Sequence, residues 1–139
     1  MGKIIVIEGI EGSGKETQSK LLVESLNEIG IKAIEFSFPM YDTPTGRIFK
    51  DCLLNNNNYF NEGIDSLDPE LVCLYTAADR KYNINKINQY LDNDYIVIIN
   101  RYTSSNMANQ GSKYSNSEER FYMYQWIDKL EYWLLKLPK

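Results

Sequence analysis

Histidine is absent from the 139 residues, and with it go imidazole general-base catalysis and the commonest metal ligand. Only two cysteines occur, Cys52 and Cys73. They are too few for a zinc site and, in a chain without an export signal, are expected as free thiols rather than a disulfide. No apolar run approaches the roughly 20 residues of a membrane span. The run Ile4-Ile5-Val6-Ile7 is too short for the core of a signal peptide, so the expected location is the cytoplasm. Positive charge is scarce as well: 15 Lys+Arg against 19 Asp+Glu give a net charge of -4. That excludes a general basic surface for nucleic-acid backbone, so any anion must be held locally. With 8 Gly, 4 Pro, 43% hydrophobic and 24% charged residues, a disordered or collagen-like chain is also excluded. One globular domain over residues 1–139 is expected, its chemistry drawn from lysine, arginine, carboxylates and backbone.

Lys3 to Ile7 is a short β-branched run and reads as a strand covered on both faces. It enters the loop Gly9-Ile10-Glu11-Gly12-Ser13-Gly14-Lys15. Apolar positions Leu21, Leu22, Val23, Leu26 and Ile29, most of them at helical spacing, then predict a helix from about Glu16 to Ile29, stopped by Gly30. A second strand is expected over Lys32 to Phe38, a structured loop from Pro39 to Gly46, and a short helix from Thr45 to Leu54. The run Asn55 to Asn58 reads as a loop tip without a role. Asp68-Pro69-Glu70 supplies a cap, a first-turn proline and an acidic first turn to a long helix over Leu71 to Leu91. After the turn Asp92-Asn93-Asp94, Tyr95 to Ile99 is a buried strand that delivers Asn100 and Arg101 to its carboxyl end, where ligands gather in parallel sheets. A tail helix over Ser117 to Leu137 carries Phe121, Tyr124, Ile127, Leu130, Leu134 and Leu137 on one face and Tyr122, Trp126 and Trp133 on another.

Gly9 to Lys15 has the spacing G-x-x-x-x-G-K between a strand and a helix, the context of a phosphate-binding P-loop. Small residues let backbone N–H groups converge on phosphate oxygens, the helix N-terminus adds positive potential, and the Lys15 ammonium offsets charge. Glu16 stands where the strict motif has the Ser or Thr whose hydroxyl ligates Mg²⁺, and Thr17 offers a hydroxyl one residue on. Repulsion from a triphosphate turns the Glu16 carboxylate toward metal or solvent, which makes it a possible metal ligand.

The P-loop segment Ile7 to Lys15, Phe38-Pro39-Met40-Tyr41, Ala78-Asp79-Arg80, and Asn100-Arg101-Tyr102 with Ser105-Asn106 together resemble the motifs of the thymidylate kinase family. The resemblance implies a three-layer α/β P-loop NTPase fold whose parallel sheet runs second, third, first strand. It also implies transfer of the ATP γ-phosphoryl group to dTMP to give dTDP, with Mg²⁺ and a homodimer. On the donor side it implies phosphate binding by Gly9, Gly12, Ser13, Gly14, Lys15, Glu16 and Thr17, with Lys15 and Arg101 catalytic. On the acceptor side Glu11 would hold the sugar 3′-hydroxyl, Arg80 read the base edge, and Arg101 hold the acceptor phosphate. Tyr41 would contact phosphate and Asn106 the base, while Phe38, Tyr75, Asn100, Ser105 and Asn109 would complete the pocket. The residues alone leave open an ion pair of Arg80 with Asp79 or a neighbour on its helix, and a structural salt bridge for Arg101.

Several positions depart from the family pattern. Asn100 stands where an Asp is usual, and an amide brings no charge to offset magnesium. The stacking aromatic is expected at Thr76, with Tyr75 one place earlier; Asn109 replaces a Tyr or His beside the deoxyribose, and Met40 replaces a basic residue. The family pattern continues past Pro138 through a strand, a lid and a last strand, so residues 1–139 are expected to form the N-terminal two-thirds of the fold. Loss of a lid arginine costs roughly 10³ to 10⁵ in rate. The Lys3 to Ile7 strand is then expected as an uncovered apolar edge. Two other readings stay open: a nucleotide-binding and dimerising module without turnover, and a P-loop kinase for another nucleoside or nucleotide.

Overall fold

In the computed structural model, residues 2–54, 59–60 and 63–139 are described; the asparagine run at 55–58 lies outside them. Three parallel strands, β1 (Lys3–Ile7), β2 (Ala33–Ser37) and β3 (Ile96–Asn100), form one sheet in the order β1-β3-β2. This is the expected second, third, first order. The registers Ile5↔Ile98 and Phe36↔Ile99 bring the carboxyl ends of all three strands level, so that Ile7, Ser37 and Asn100 share one edge.

The sheet is covered unequally. Val97, Ile98 and Ile99 of central β3 have no exposed surface, as a strand buried on both faces requires. On one face Ile4, Ile34, Phe36, Val97 and Ile99 pack against Ile84, Ile87 and Tyr90 of helix α3 (Pro69–Asp92) and against Tyr132, Leu135 and Leu137 near the C-terminus. Helix α1 (Lys15–Glu28) covers the other face, where Ser19 is fully buried. Strand β1 departs from the expectation of cover on both faces: Ile5 and Val6 are 39% and 38% exposed. Its pairing is to β3 alone among the described residues, in line with the expected apolar edge.

Local chemistry sets the helix ends. Gly30, at φ 81°, closes α1: its N–H donates to Asn27 O and the Ile31 N–H to Leu26 O, the paired bonds of a left-handed C-terminal stop. Asp68 caps α3 by accepting from the Glu70 and Leu71 N–H groups at 2.8 and 3.2 Å. Thr43 precedes the short helix α2 (Pro44–Phe49), which continues as a π-helical stretch over Lys50–Leu54. Gly46 lies so close to the Met40 carbonyl that a Cβ there would sit 1.9 Å from its oxygen, so only glycine lets the loop and α2 meet.

Two helices differ from the sequence expectation. Helix α4 (Thr103–Gly111) was not foreseen because its buried positions are the polar Thr103, Asn106 and Gln110. It begins without a cap of its own; the Glu8 carboxylate, 94 and 97 residues away in sequence, accepts from the Tyr102 and Ser105 N–H groups at 3.0 and 3.1 Å and from the Ser105 hydroxyl. The tail helix is α5 (Ser117–Asp128) followed by a π-helical turn over Lys129–Leu134. Its buried stripe is Met123, Ile127 and Glu131, while Phe121, Tyr122 and Trp133 are exposed. The expected apolar face is therefore rotated, because a buried carboxylate occupies a core position. No helix among the described residues is long and apolar enough to cross a membrane, and Cys52 and Cys73 are free thiols.

Candidate functional site

The loop after β1 is built to leave donors open. Gly12 and Gly14 take φ values of 73° and 81°, conformations that side chains disfavour. Gly14 caps α1 with no side-chain acceptor, so the first-turn N–H groups remain available at the positive end of the helix. Lys15 folds back across the loop and donates from Nζ to Ile10 O at 3.0 Å. Ser13 closes the turn through its N–H to the same carbonyl at 3.2 Å. The exposed Glu16 carboxylate is engaged by Lys20, whose Nζ sits 2.7 Å from Oε1 and holds its carboxyl below the usual range.

This loop borders a cleft of about 450 Å³. Its walls include Glu11, Gly12, Lys15, Glu16 and Thr17 from the loop side and Tyr41, Asn100 and Arg101 from the opposite side. Asn100 Oδ1 is buried there without a hydrogen-bond partner. Arg101 follows directly at the end of β3 with φ 64°. A non-glycine residue in this region is strained and persists where the surroundings impose it; here its N–H donates to Ile7 O at 3.1 Å, tying β3 to the end of β1.

A second cavity of about 170 Å³ adjoins the first. Phe38, Pro39, Tyr41 and Arg101 line both. Its further walls carry Thr76 and Arg80 from α3 and Ser105, Asn106, Asn109 and Gln110 from α4. Asn106 Nδ2 and Gln110 Oε1 are buried in its wall without partners, and an unpaired buried polar group marks a place for a ligand or water. Burial raises the Tyr41 phenol above its ordinary value while the Arg101 charge opposes the rise, so the hydroxyl stays neutral and able to donate at physiological pH. A third depression links Gly9 and Glu11 with Arg101, Ser105 and Asn109.

Asp79 fixes the loop between the cavities. Its buried carboxylate accepts from the Met40 N–H at 2.8 Å, Thr45 Oγ1 at 2.6 Å and Asn83 Nδ2 at 3.0 Å. Arg80, beside it in sequence, forms its ion pair with Glu131 from the tail, so its acidic partner is neither Asp79 nor another residue of α3. The Phe38–Pro39 peptide is cis.

Most residues singled out from sequence therefore meet around the two clefts. Tyr75 does not: one residue along a helix is about 100° of rotation, and its ring packs on Phe60 at 6.3 Å within the cluster of Phe49, Leu53 and Val72. Thr76 takes the wall position. Gln110 was missed, although it lies four residues after Asn106 and thus on the same helical face; the signal exists only once α4 is recognised. Glu131 gave no signal, since a lone glutamate in an aromatic tail reads as solvated.

The family model for thymidylate kinase matches residues 7–125, which takes in the phosphate loop and both clefts. The chain belongs to the thymidylate kinase family. It is 34% identical over 113 residues to a thymidylate kinase of Brachyspira hyodysenteriae, covering 81% of this chain and 51% of that protein. A probable thymidylate kinase of Thermococcus gammatolerans is 33% identical over 144 residues, with coverage of 100% and 60%. Among solved structures, the thymidylate kinase of Candida albicans superposes with a TM-score of 0.70 at 28% identity, covering 99% of this chain and 59% of that one. The chain spans about half to three-fifths of the length of these relatives. The likeness to them carries the P-loop fold and the parallel sheet.

Proposed function

We propose that the chain holds ATP in the phosphate-loop cleft and dTMP in the adjoining cavity, and transfers the γ-phosphoryl group to give dTDP. The observation that carries this reading is the continuity of the two clefts through Tyr41 and Arg101, with the glycine-rich loop on one side and the unpaired buried amides of Asn106 and Gln110 on the other. In the reaction an oxygen of the dTMP phosphate bonds to the γ-phosphorus as its bond to the β–γ bridging oxygen breaks, and ADP leaves. No covalent enzyme intermediate is required, so the lack of histidine is no obstacle.

Each residue then has a physical task. The open N–H groups around Gly12 and Gly14 cradle the triphosphate, and Lys15 exchanges its bond to the Ile10 carbonyl for phosphate oxygens. Arg101, within reach of both clefts, holds the acceptor phosphate and offsets charge developing on the transferred group. Glu11, in the depression it shares with Arg101, Ser105 and Asn109, holds the sugar hydroxyl, and Arg80, Asn106 and Gln110 on the wall of the second cavity face the base. The donor set fits Mg²⁺: the unpaired Asn100 Oδ1 and the Thr17 hydroxyl are hard oxygen ligands on one cleft, and this ion needs few protein ligands beside phosphate oxygens and waters. Bound there, the metal would neutralise triphosphate charge; Glu16, engaged by Lys20, is set aside from that role.

The proposal extends to a single kinase domain working in the cytoplasm as a homodimer. Exposed Leu74 and Tyr82 on α3 and Phe121 and Tyr122 on α5 support a partner surface. A second reading, nucleotide binding without turnover, is favoured by one observation: at the end of β3 the cleft presents the uncharged amide of Asn100, and its Glu16 carboxylate is paired with Lys20. Lys15→Ala tests the main reading by calorimetry, with loss of ATP affinity and retained dTMP binding expected. Normal ATP affinity in that variant overturns it. ADP formation under saturating ATP, Mg²⁺ and dTMP decides between the two readings, and a panel of other monophosphates tests the choice of acceptor.

A further inference from the structure

Glu131 has no exposed surface, although it sits in the π-helical turn that follows α5. One oxygen accepts from Arg80 Nε at 2.6 Å and from Thr103 Oγ1 at 2.8 Å, and the other from Arg80 Nη2. Arg80 Nη2 also donates to Thr76 Oγ1 at 3.2 Å. Three parts of the chain far apart in sequence, α3, α4 and the tail, thus converge on one carboxylate. Stability alone is a poor account of it, because a buried ion pair offsets its own desolvation at best and an apolar residue would pack as well.

The pair does two things to the cavity. It docks the guanidinium edge-on through Nε and Nη2, which fixes the plane and leaves Nη1 outside these bonds. It also neutralises Arg80, whereas Arg101 on the same cavity has no ion-pair partner among the described residues. The cavity therefore has a cationic end at Arg101 and a neutralised donor at Arg80. A bound nucleotide sees a place for phosphate at the first and for a neutral carbonyl at the second.

We propose that Glu131 is a positioning residue for base selection: by fixing and neutralising Arg80 it makes the cavity prefer a pyrimidine monophosphate with a carbonyl at ring position 4 over one with an amino group there. The proposal rests on the dTMP reading above and deepens it. Without the carboxylate charge, Arg80 becomes a mobile cation that attracts phosphate and no longer discriminates the base edge.

The test titrates the full chain and its Glu131→Gln variant with dTMP, dCMP and ATP by calorimetry. The expected result is a fall of about tenfold in the preference for dTMP over dCMP, with ATP affinity within about twofold of wild type. Equal weakening of dTMP and dCMP, the mark of a merely structural role, overturns the proposal, as does an unchanged preference. Where circular dichroism shows the Gln variant unfolded, Thr103→Val decides by removing one donor to the same oxygen isosterically: a fall of about threefold in the preference supports the proposal, and no change overturns it. Failure of the dTMP reading is distinguishable, since the wild-type chain then binds no dTMP. Failure of the Glu131 role alone leaves a wild-type preference that the variant reproduces.

Discussion

Replacing Asp79 by alanine should loosen the wall shared by both clefts. The carboxylate is 1% exposed and is the acceptor for the buried Met40 N–H at 2.8 Å and for Asn83 Nδ2 at 3.0 Å, with Thr45 Oγ1 at 2.6 Å. Hydrogen bonds to a charged group are worth about 1.5–3 kcal/mol each, and a buried donor left alone costs about 1–3 kcal/mol. Thr45 is half-buried and finds water, and Asn83 Nδ2 keeps its bond to the Asp79 main-chain carbonyl at 2.8 Å, so the stranded Met40 donor dominates and, with the lost charged bonds from Thr45 and Asn83, the loss comes to about 3–4 kcal/mol. That is a large share of the roughly 5–15 kcal/mol expected for a domain. With a urea slope of about 2 kcal/mol/M, the midpoint falls by about 2 M. Asp79→Asn keeps the shape and one carbonyl acceptor, and the Thr45 hydroxyl is free to reverse its role, so a smaller shift of about 0.5–1 M is expected. Urea titration followed by far-ultraviolet circular dichroism reads both values. An alanine variant within about 0.3 M of wild type would refute the assignment of Asp79 as the clasp of the loop.

Other outcomes follow from the same structure. Glu8→Ala removes the cap of α4 and should cost about 1–2 kcal/mol in the same urea assay; no loss would mean that α4 starts without Glu8. Burial pushes the Cys73 thiol up to about 12, so native protein at pH 8 should take up iodoacetamide at half-buried Cys52 and at Cys73 only in urea. Equal labelling by mass spectrometry contradicts this. Burial against α1 raises the Glu35 carboxyl above its ordinary 4.5 despite Lys20. A raised carboxyl means that the folded chain keeps its proton longer, so this group's contribution is full below pH 4.5 and is lost as pH rises through the folded value. Glu35→Gln should then be more stable than wild type at neutral pH, with the difference vanishing below 4.5; thermal melts at the two pH values check the sign.

The elements with local signals were legible in the sequence: the β-branched runs of β1 and β3, the Gly30 stop, and the Asp68-Pro69 start of α3. The phosphate loop was legible too, because its spacing is set by backbone geometry within one loop. What escaped was long-range. Helix α4 takes its cap from Glu8 and buries polar side chains, so it shows no apolar period. The tail stripe was misread because Glu131 occupies a core position only by virtue of Arg80, 51 residues away. Tyr75 and Thr76 are neighbours in sequence, and which of them faces the cavity depends on the packing of Tyr75 on Phe60.

The most direct test of the two joined clefts follows the phosphoryl group itself. The chain is incubated with dTMP, Mg²⁺ and ATP labelled on the γ-phosphate, and the nucleotides are separated. The account predicts label in dTDP from the wild-type chain and none from Lys15→Ala. Label that stays in ATP, or passes only to inorganic phosphate, would contradict it.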